Sequence, residues 1–472
     1  MPGVAPDGRI VALPSLDARA VTACAARSYI DNAWLIDDAL FASLDGEEAW
    51  LLPAWHGLRR PQAFYYGHNA AFYTNKLVMA GLLDESERVR PDLDVLFEMG
   101  VDENPWDDMS RNESPWPSVE EVHGYRRATR ELIDRALDRA PELAGGSPAR
   151  VDARSPLWAL LMAVEHQRIH VETSSVLIRE MPNHLVQTAP HLACAHPTAA
   201  RPCVTAEPVA GRDFPDVEML THCGGTVALG RRDHAEFGWD LEFGAQDAAV
   251  APFALSSTLV TNGDLAAFIA AGGYAEQRFW SIEGWDWRSR SGACAPTFWE
   301  EGNLDLRLCF ESVPMQWDWP AVVNRHEAQA FLAWKSGVDG AVGRDAYRLL
   351  TEAELALVRA EATAAGQPGG ANTGLVYTSE SPVRALEPAA TGHHDLLGSL
   401  WEHCNDAIGP LDATFEAHPL YRDFSEPAFD GRHFVLSGAS FASTGTYAGA
   451  ATRNYFRPHF FQHAGFRVAR TL

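Results

Sequence analysis

The stretch SPLWALLMAVEHQRIHVETSSVLIREM, residues 155–181, decides the fold of the first part of the chain. It opens on Ser155-Pro156, which is a signal for the start of a helix, and it ends near Met181. Its apolar residues recur at intervals of three and four, which is the spacing of one buried helix face. The stretch therefore predicts a long amphipathic helix.

Three segments upstream have the same helical spacing: Asp17–Leu44, Pro61–Leu83 and Ser118–Ala140. The third of them opens on a capping box, Ser118-Val-Glu-Glu121. Because four helices of this length each carry an apolar stripe, we expect an antiparallel four-helix bundle over residues 1–181. The connection 89–117 shows no helical period, and we expect an ordered surface loop there.

The rest of the chain has a different character. Closely spaced prolines predict a linker over residues 182–222. Residues 223–472 are rich in Gly and Trp and contain short strand-like runs, such as Gly225–Gly230 and His433–Ser437. Two helical segments, Thr261–Ala271 and Asn324–Lys335, interrupt them. This pattern predicts an α+β domain of low regularity.

Composition excludes several classes of function. The 472 residues contain 38 Lys and Arg against 63 Asp and Glu, a net charge of −25, which argues against a nucleic-acid or anionic-membrane partner. No apolar run reaches the roughly 18 residues of a membrane span, and the start of the chain lacks a secretory pattern. The seven cysteines form no CxxC pair. We therefore expect a cytoplasmic protein.

Histidines give the sharpest chemical signal. His166 and His170 lie at i and i+4, so both imidazoles can reach one metal ion from the same helix face. Glu172 lies about 200° around the helix from His170 and faces away from the pair. His68, beside Gly67 in the second helix, is the best candidate for a third ligand. Three imidazoles suit Zn²⁺ or Fe²⁺, although two histidines at this spacing also arise by chance.

The chain resembles a known family in both halves. HxxxHxE in a helical first domain is similar to the non-haem iron sulfoxide synthases of ergothioneine and ovothiol biosynthesis, which join a DinB-like bundle to a formylglycine-generating-enzyme-like domain. The second half carries marks of that domain, among them Phe268-Ile-Ala-Ala-Gly-Gly-Tyr274, Phe279-Trp-Ser-Ile-Glu-Gly-Trp285, Arg348-Leu-Leu-Thr-Glu352, Gly398-Ser-Leu-Trp-Glu402, Ser437-Gly-Ala-Ser-Phe441 and Ala464-Gly-Phe-Arg467. The resemblance implies a C-type-lectin-like fold for the second domain.

The resemblance also implies the chemistry. His68, His166 and His170 become ligands of Fe(II), and Glu172 stays a non-ligand. The family binds a histidine derivative through its imidazole, takes up O₂ and a sulfur donor, and forms a C–S bond on the ring. Three protein ligands leave three octahedral positions, which suffice for imidazole, chalcogen and O₂.

Two departures from the family pattern bear on the donor. Where the ergothioneine branch has Asn-Trp-Asp and a basic residue that hold γ-glutamylcysteine, this chain has Asn454-Tyr455-Phe456 and Phe460. The loss of both charges removes partners for a charged donor. The active-site tyrosine of the family is expected near Ile408 or Gly409, where no tyrosine stands, and Tyr421 is the weak candidate for a catalytic substitute.

These departures, in an ovothiol-like core without a methyltransferase domain, resemble the selenoneine synthase branch. That branch couples hercynine, or trimethylhistidine, to a selenosugar. The resemblance predicts an O₂-dependent C–Se bond former. We expect its substrate-binding residues to be Asn454, Tyr455, Phe456, Arg457, Phe460 and Trp401. Three alternatives stay open: a sulfoxide synthase with a cysteine-type donor, a DinB-type metal-dependent thiol transferase, and a binding module that has lost the chemistry.

Overall fold

The computed structural model describes residues 2–98, 116–233, 235–300, 302 and 304–472. Its α-helices are α1 (Ala23–Phe41), α2 (Gly46–Leu51), α3 (Gln62–Met79), α4 (Pro91–Leu96), α5 (Val119–Arg139), α6 (Trp158–Arg179), α7 (Asn262–Ala270), α8 (Ile282–Ser291), α9 (Arg325–Val338) and α10 (Glu352–Ala364). Its strands are β1 (Met219–His222), β2 (Gly225–Leu229), β3 (Gln246–Val250), β4 (Phe253–Ser256), β5 (Asp305–Arg307), β6 (Ser312–Pro314), β7 (Trp401–Ala407), β8 (Phe434–Ser437), β9 (Asn454–Phe456), β10 (Ala464–Gly465) and β11 (Ala469–Thr471).

Four long helices form the first domain, as the sequence predicts. Helix α3 packs against α5 and α6, and α1 packs against the same two helices, so the four enclose one core. The predicted capping box at Ser118 is confirmed, since its hydroxyl accepts from the Glu121 N–H and the Glu121 carboxylate accepts from the Ser118 N–H. Helix α6 is buried along nearly its whole length, because the second domain covers the face that the bundle leaves open.

The connection between α3 and α5 differs from the prediction of an irregular loop. Helix α4 forms within it, because Pro91 at its first position has the fixed φ of a helix start and supplies no N–H that needs a partner. The remainder of the expected loop, residues 99–115, lies outside the described residues.

Small sheets and short helices build the second domain. One antiparallel sheet has the order β1-β4-β11, and a second has the order β10-β7-β8-β9 with only β10 and β7 parallel. Hairpins β2-β3 and β5-β6 lie outside these sheets. In the second sheet Leu436 of β8 pairs with Asn454 of β9, which fixes the position of the β9 side chains.

The last residues expected in the linker belong to a sheet. Residues 219–222 form β1, which pairs with β4 from Met219↔Ser256 to His222↔Phe253. The prolines end at Pro215, so nothing prevents pairing beyond that point. We propose a division of the chain into a bundle (1–181), a linker (182–222) and a second domain (223–472). In the structure the last four linker residues form β1, which pairs with β4 of the second domain.

Buried polar contacts join the two domains. Arg179 near the end of α6 donates to Glu380 at 2.5 Å and to the Arg307 carbonyl at 2.7 Å, and both side chains of the ion pair are almost fully buried. Glu165 on α6 accepts from the Thr446 N–H at 3.0 Å. Such pairs are costly to break, since each would leave a buried charge without its partner. They fix α6 against β5, the segment between α10 and β7, and the loop that follows β8.

No helix among the described residues is long and apolar enough to cross a membrane.

Candidate metal centre and substrate cavity

Three histidines from two packed helices meet at the domain interface. His68 lies on α3, and His166 and His170 lie on α6. One ring nitrogen from each comes within 4.8 Å of the other two, and the Nε2 atoms of His166 and His170 are 3.1 Å apart. The structure therefore brings the three predicted ligands together.

The local contacts orient these rings. His68 lies 2.6 Å through Nδ1 from the Phe97 carbonyl, so a neutral ring donates there and directs the Nε2 lone pair toward the other histidines. A side chain on Gly67 would place its Cβ 2.5 Å from the Phe97 ring, so glycine permits this approach. The ring of Phe72 stacks on His166 with centroids 3.6 Å apart.

Burial keeps all three imidazoles neutral. It lowers the pKa of His68 to about 4, and the nearby Lys76 and Arg60 add to this effect while the Phe97 carbonyl opposes it. Burial also holds the pKa of His166 and His170 well below the usual range, reinforced by the neighbouring histidines. A neutral imidazole is the form that ligates a metal.

The donor set fits a divalent transition metal. Within the described part of the chain, the Nδ1 atoms of His166 and His170 are buried and have no hydrogen-bond partner, and their Nε2 atoms face each other. The lone pairs of these two Nε2 atoms, 3.1 Å apart, repel each other, and a metal cation bound by both atoms would remove that repulsion. Imidazole nitrogens suit Zn²⁺ and Fe²⁺ alike, so the ligands alone do not select between them.

Glu172 lies away from the cluster, as its position on the helix predicts. Its Oε1 accepts from Trp401 Nε1 at 2.5 Å and from Ser440 Oγ at 2.7 Å, and its Oε2 accepts from Ser443 Oγ at 2.6 Å. All three donors belong to the second domain. Burial raises the pKa of Glu172, and these three hydrogen bonds oppose the shift. The carboxylate therefore ties α6 to the second domain.

Replacing Glu172 by glutamine should destabilise the protein without removing metal. The amide has one acceptor oxygen in place of two, so at least one buried donor loses its partner, at a cost of about 2 kcal/mol in the free energy of unfolding. Chemical denaturation measures this cost, with Glu131→Gln at an exposed position of α5 as the matched control. If Glu172→Gln lost bound metal while remaining as stable as the control, Glu172 would be a metal ligand rather than a link between α6 and the second domain.

A cavity of about 60 Å³ contains the three histidines. Six aromatic side chains form much of its wall: Trp239, Tyr421, Phe424, Tyr447, Tyr455 and Phe456. Polar groups come from Arg59, Thr173, Thr452, Arg453 and Asn454. An aromatic cavity beside a cluster of neutral imidazoles suits an organic cation that also binds metal.

The predicted substrate residues are distributed over several places. Asn454, Tyr455 and Phe456 line the metal cavity, whereas Phe460 lines a neighbouring cleft. Asn454 accepts from the Tyr455 N–H through Oδ1, and its buried Nδ2 has no partner among the described residues. That amide can therefore donate to a ligand.

Two predicted substrate residues line neither space. Trp401 is fully buried and donates to Glu172, so it supports α6 instead of contacting the cavity. Arg457 lies 3.8 Å from Asp430, in a surface ion pair. Arg457 directly follows β9, whose three residues Asn454, Tyr455 and Phe456 all line the cavity.

Tyr421 lies beside the metal cluster. Its ring centroid is 5.9 Å from that of His166 and 5.1 Å from that of Phe72, and the Lys76 ammonium is 4.5 Å from the tyrosine ring. Ile408, at the position expected for the family's tyrosine, is a buried apolar residue. The phenol thus reaches the cavity from a later loop, and Tyr421 stays the candidate for the catalytic role.

Sequence reasoning missed Arg59, Trp239 and Tyr447. All three reach the cavity from irregular segments or short turns, where no periodicity indicates a direction. The only signal for Arg59 is its place in the run Arg59-Arg60 ahead of α3.

Comparison with known proteins now identifies the class. Residues 206–472 match the model of the Sulfatase-modifying factor enzyme 1-like domain, and residues 37–174 match that of the DinB superfamily. Since the first of these covers more than half of the chain, the chain belongs to the Sulfatase-modifying factor enzyme 1-like domain family. The predicted fold class, a DinB-like bundle followed by a C-type-lectin-like domain, is confirmed.

Individual proteins that the chain resembles indicate which branch of this family it is similar to. The chain is 25% identical to hercynine oxygenase of Mycolicibacterium smegmatis over 92% of this chain and 96% of that protein. It is 32% identical to hercynine oxygenase of Mycobacterium tuberculosis over 47% of this chain and about half of that protein, 53%. Among solved structures, PvdO from Pseudomonas aeruginosa matches 55% of this chain and 96% of its own, with 23% identity and a TM-score of 0.38. The two domains and the two hercynine oxygenases together support the ergothioneine-type sulfoxide synthase family.

Proposed function

We propose that this protein is an Fe(II)- and O₂-dependent enzyme that joins the imidazole ring of hercynine to the selenium of a selenosugar. In the overall reaction a ring C–H bond and an Se–H bond break, and a C–Se bond and an Se–O bond form. One oxygen atom of O₂ enters the selenoxide and the other leaves as water, which carries the two hydrogens. The four electrons that reduce O₂ come from the two substrates, so no other reductant is required.

One observation carries this proposal: three neutral imidazoles converge in a cavity with six aromatic walls. Hercynine has an imidazole, which can bind the same metal, and a trimethylammonium group, which binds best against aromatic faces. The names of the relatives, hercynine oxygenases, support the same substrate. A ferrous ion held by His68, His166 and His170 supplies the redox chemistry that activates O₂.

Other residues of the chain hold the substrate. Hercynine also has a carboxylate, and Arg59 and the Asn454 amide are a cation and a donor in the cavity wall. Arg59 takes the role that the sequence assigns to Arg457, which lies at Asp430 instead. Arg453 serves the structure, because its guanidinium bonds Glu352 at 2.7 Å and the carbonyls of Leu241 and Gly409.

The chemical class of the donor is inferred from two side chains, Phe456 and Phe460. Phe456 and Phe460 are apolar where the ergothioneine branch has a carboxylate and a base, and their rings lie 6.0 Å apart. A sugar selenol has no ammonium or carboxylate group that needs a charged partner at these positions. γ-Glutamylcysteine has such groups and would lose two charged partners. The alternative is a sulfoxide synthase that takes a cysteine-type donor, and the hercynine oxygenase relatives favour it.

A competition among donors tests the proposal. Fe(II)-reconstituted protein receives hercynine with a selenosugar, γ-glutamylcysteine and cysteine together, and mass spectrometry identifies the products. We expect product from the selenosugar in excess over the other two. Product from a cysteine-type donor alone would show that the enzyme forms a C–S bond. That result would overturn the assignment of a selenosugar as the donor.

Replacing Asn454 by alanine should weaken hercynine binding. The loss of a hydrogen bond to a charged carboxylate raises the KM for hercynine by about tenfold, with little effect on the KM for the donor. Steady-state kinetics measure both constants, and Asn405→Ala at an exposed position of β7 is the control. An unchanged hercynine KM would remove Asn454 from the substrate site.

A further inference from the structure

A second cleft begins where the metal cavity ends. Its volume is about 360 Å³, several times that of the cavity. The two spaces share Arg59 and Thr173 as walls. The Arg59 guanidinium lies 5.4 Å from the ring of Phe456, in the cavity, and 5.0 Å from that of Phe460, in the cleft. Arg59 therefore stands at the passage between them.

Aromatic rings and polar side chains alternate on the walls of this cleft. Trp55, Trp287, Phe460 and Phe461 provide apolar faces. The Trp287 ring lies 6.0 Å from that of His326, at 28° to it, and 6.2 Å from that of Phe461. Broad apolar faces with a few fixed polar groups are typical of a small-molecule site.

His326 adds an unused hydrogen-bonding group. It is 3% exposed and lines the cleft, and its buried Nδ1 has no partner among the described residues. Burial lowers the pKa of His326 to about 3, and the neighbouring His459 and Arg325 contribute. A neutral imidazole offers one donor and one acceptor, which matches a hydroxyl group.

The cleft carries no strong excess of either charge. Two acidic residues, Glu180 and Glu283, and two arginines, Arg59 and Arg290, line it. Glu180 lies 3.2 Å from His56, and Arg290 lies 2.7 Å from Asp286. An uncharged occupant rich in hydroxyl groups therefore fits better than a strongly charged one.

We propose that this cleft binds the sugar ring of the selenium donor, with one face on Trp287 and hydroxyl groups at His326, while the selenium passes Arg59 into the metal cavity. This inference rests on the proposed function for the identity of the donor. Stacking on an aromatic face supplies affinity, and the histidine fixes the orientation of the ring.

Titration calorimetry with methyl 1-seleno-β-D-glucopyranoside tests the cleft without turnover. This probe has the sugar and the selenium but no Se–H bond, so it binds without reacting. We expect Trp287→Leu and His326→Phe each to weaken its binding by about tenfold. Trp285→Leu, on the same helix and outside the cleft, should bind it like the wild type. Equal binding by all variants, or no binding by the wild type, would overturn the inference.

Kinetics with the reactive selenosugar separate the two proposals. If the cleft holds the sugar, Trp287→Leu raises the KM for the selenosugar about tenfold and leaves the KM for hercynine unchanged. If the wild-type protein binds the methyl glycoside in the cleft but makes no C–Se bond, the proposed function is refuted. The inferred sugar site in the cleft is then still supported. Thermal melts show that each variant is folded.

Discussion

His166→Ala protein should bind no stoichiometric iron and make no detectable product. The variant retains two of three imidazoles and loses the ring whose Nε2 lies 3.1 Å from that of His170. Loss of a supporting partner of a ligand costs roughly 10–100-fold in metal affinity, and loss of the ligand itself costs more. Metal analysis after reconstitution and an assay by mass spectrometry measure both effects.

The control for this prediction is another histidine on the same chain. His184 is exposed and lies outside the cavity, so His184→Ala should bind iron and turn over like the wild type. A His166→Ala protein that kept full iron content and activity would show that the cluster is not the metal centre. His68→Ala and His170→Ala should behave like His166→Ala, because each contributes one nitrogen.

Tyr421→Phe should keep the metal and lose most of the turnover. The substitution removes only the phenol oxygen from a ring 5.9 Å from that of His166. A positioned general acid contributes roughly 10²–10⁴-fold to a rate, so we expect kcat to fall by about 100-fold. Iron content and the KM for hercynine should stay close to the wild-type values, because the aromatic wall is kept.

Tyr377→Phe is a matched control for that variant. Tyr377 lies against His196, with ring centroids 4.7 Å apart, and does not line the metal cavity. The catalytic role of Tyr421 predicts that the pH dependence of kcat changes in Tyr421→Phe and not in Tyr377→Phe. If Tyr421→Phe kept the wild-type kcat, the proton would come from another group and Tyr421 would only shape the wall.

Regular elements are the part of this protein that the sequence predicts well. The i,i+4 spacing of His166 and His170 predicts two ligands, because helix geometry alone brings them together. His68 follows because α3 also has a clear period and Gly67 allows close packing. Helix α10 could have been predicted too, since Thr351 and Glu354 form a capping box at its start.

Irregular segments explain most of what the sequence does not predict. Tyr421 lies between β7 and β8 in a segment of turns, where counting along the chain from Trp401 does not fix a direction. Arg59 reaches the cavity because of how the segment before α3 packs. Trp401 is a candidate substrate residue in the sequence, yet its indole is buried and donates to Glu172. Such choices depend on tertiary contacts rather than on local spacing.

Oxygen uptake measured together with product tests the central claim most directly. Protein reconstituted with Fe²⁺ or with Zn²⁺ receives hercynine and the selenosugar in an oxygen electrode, and mass spectrometry quantifies the C–Se product. We expect one O₂ consumed for each product formed with iron, and neither uptake nor product with zinc. Equal product from the zinc protein, or from the iron protein without oxygen, would contradict the proposed O₂-dependent iron chemistry.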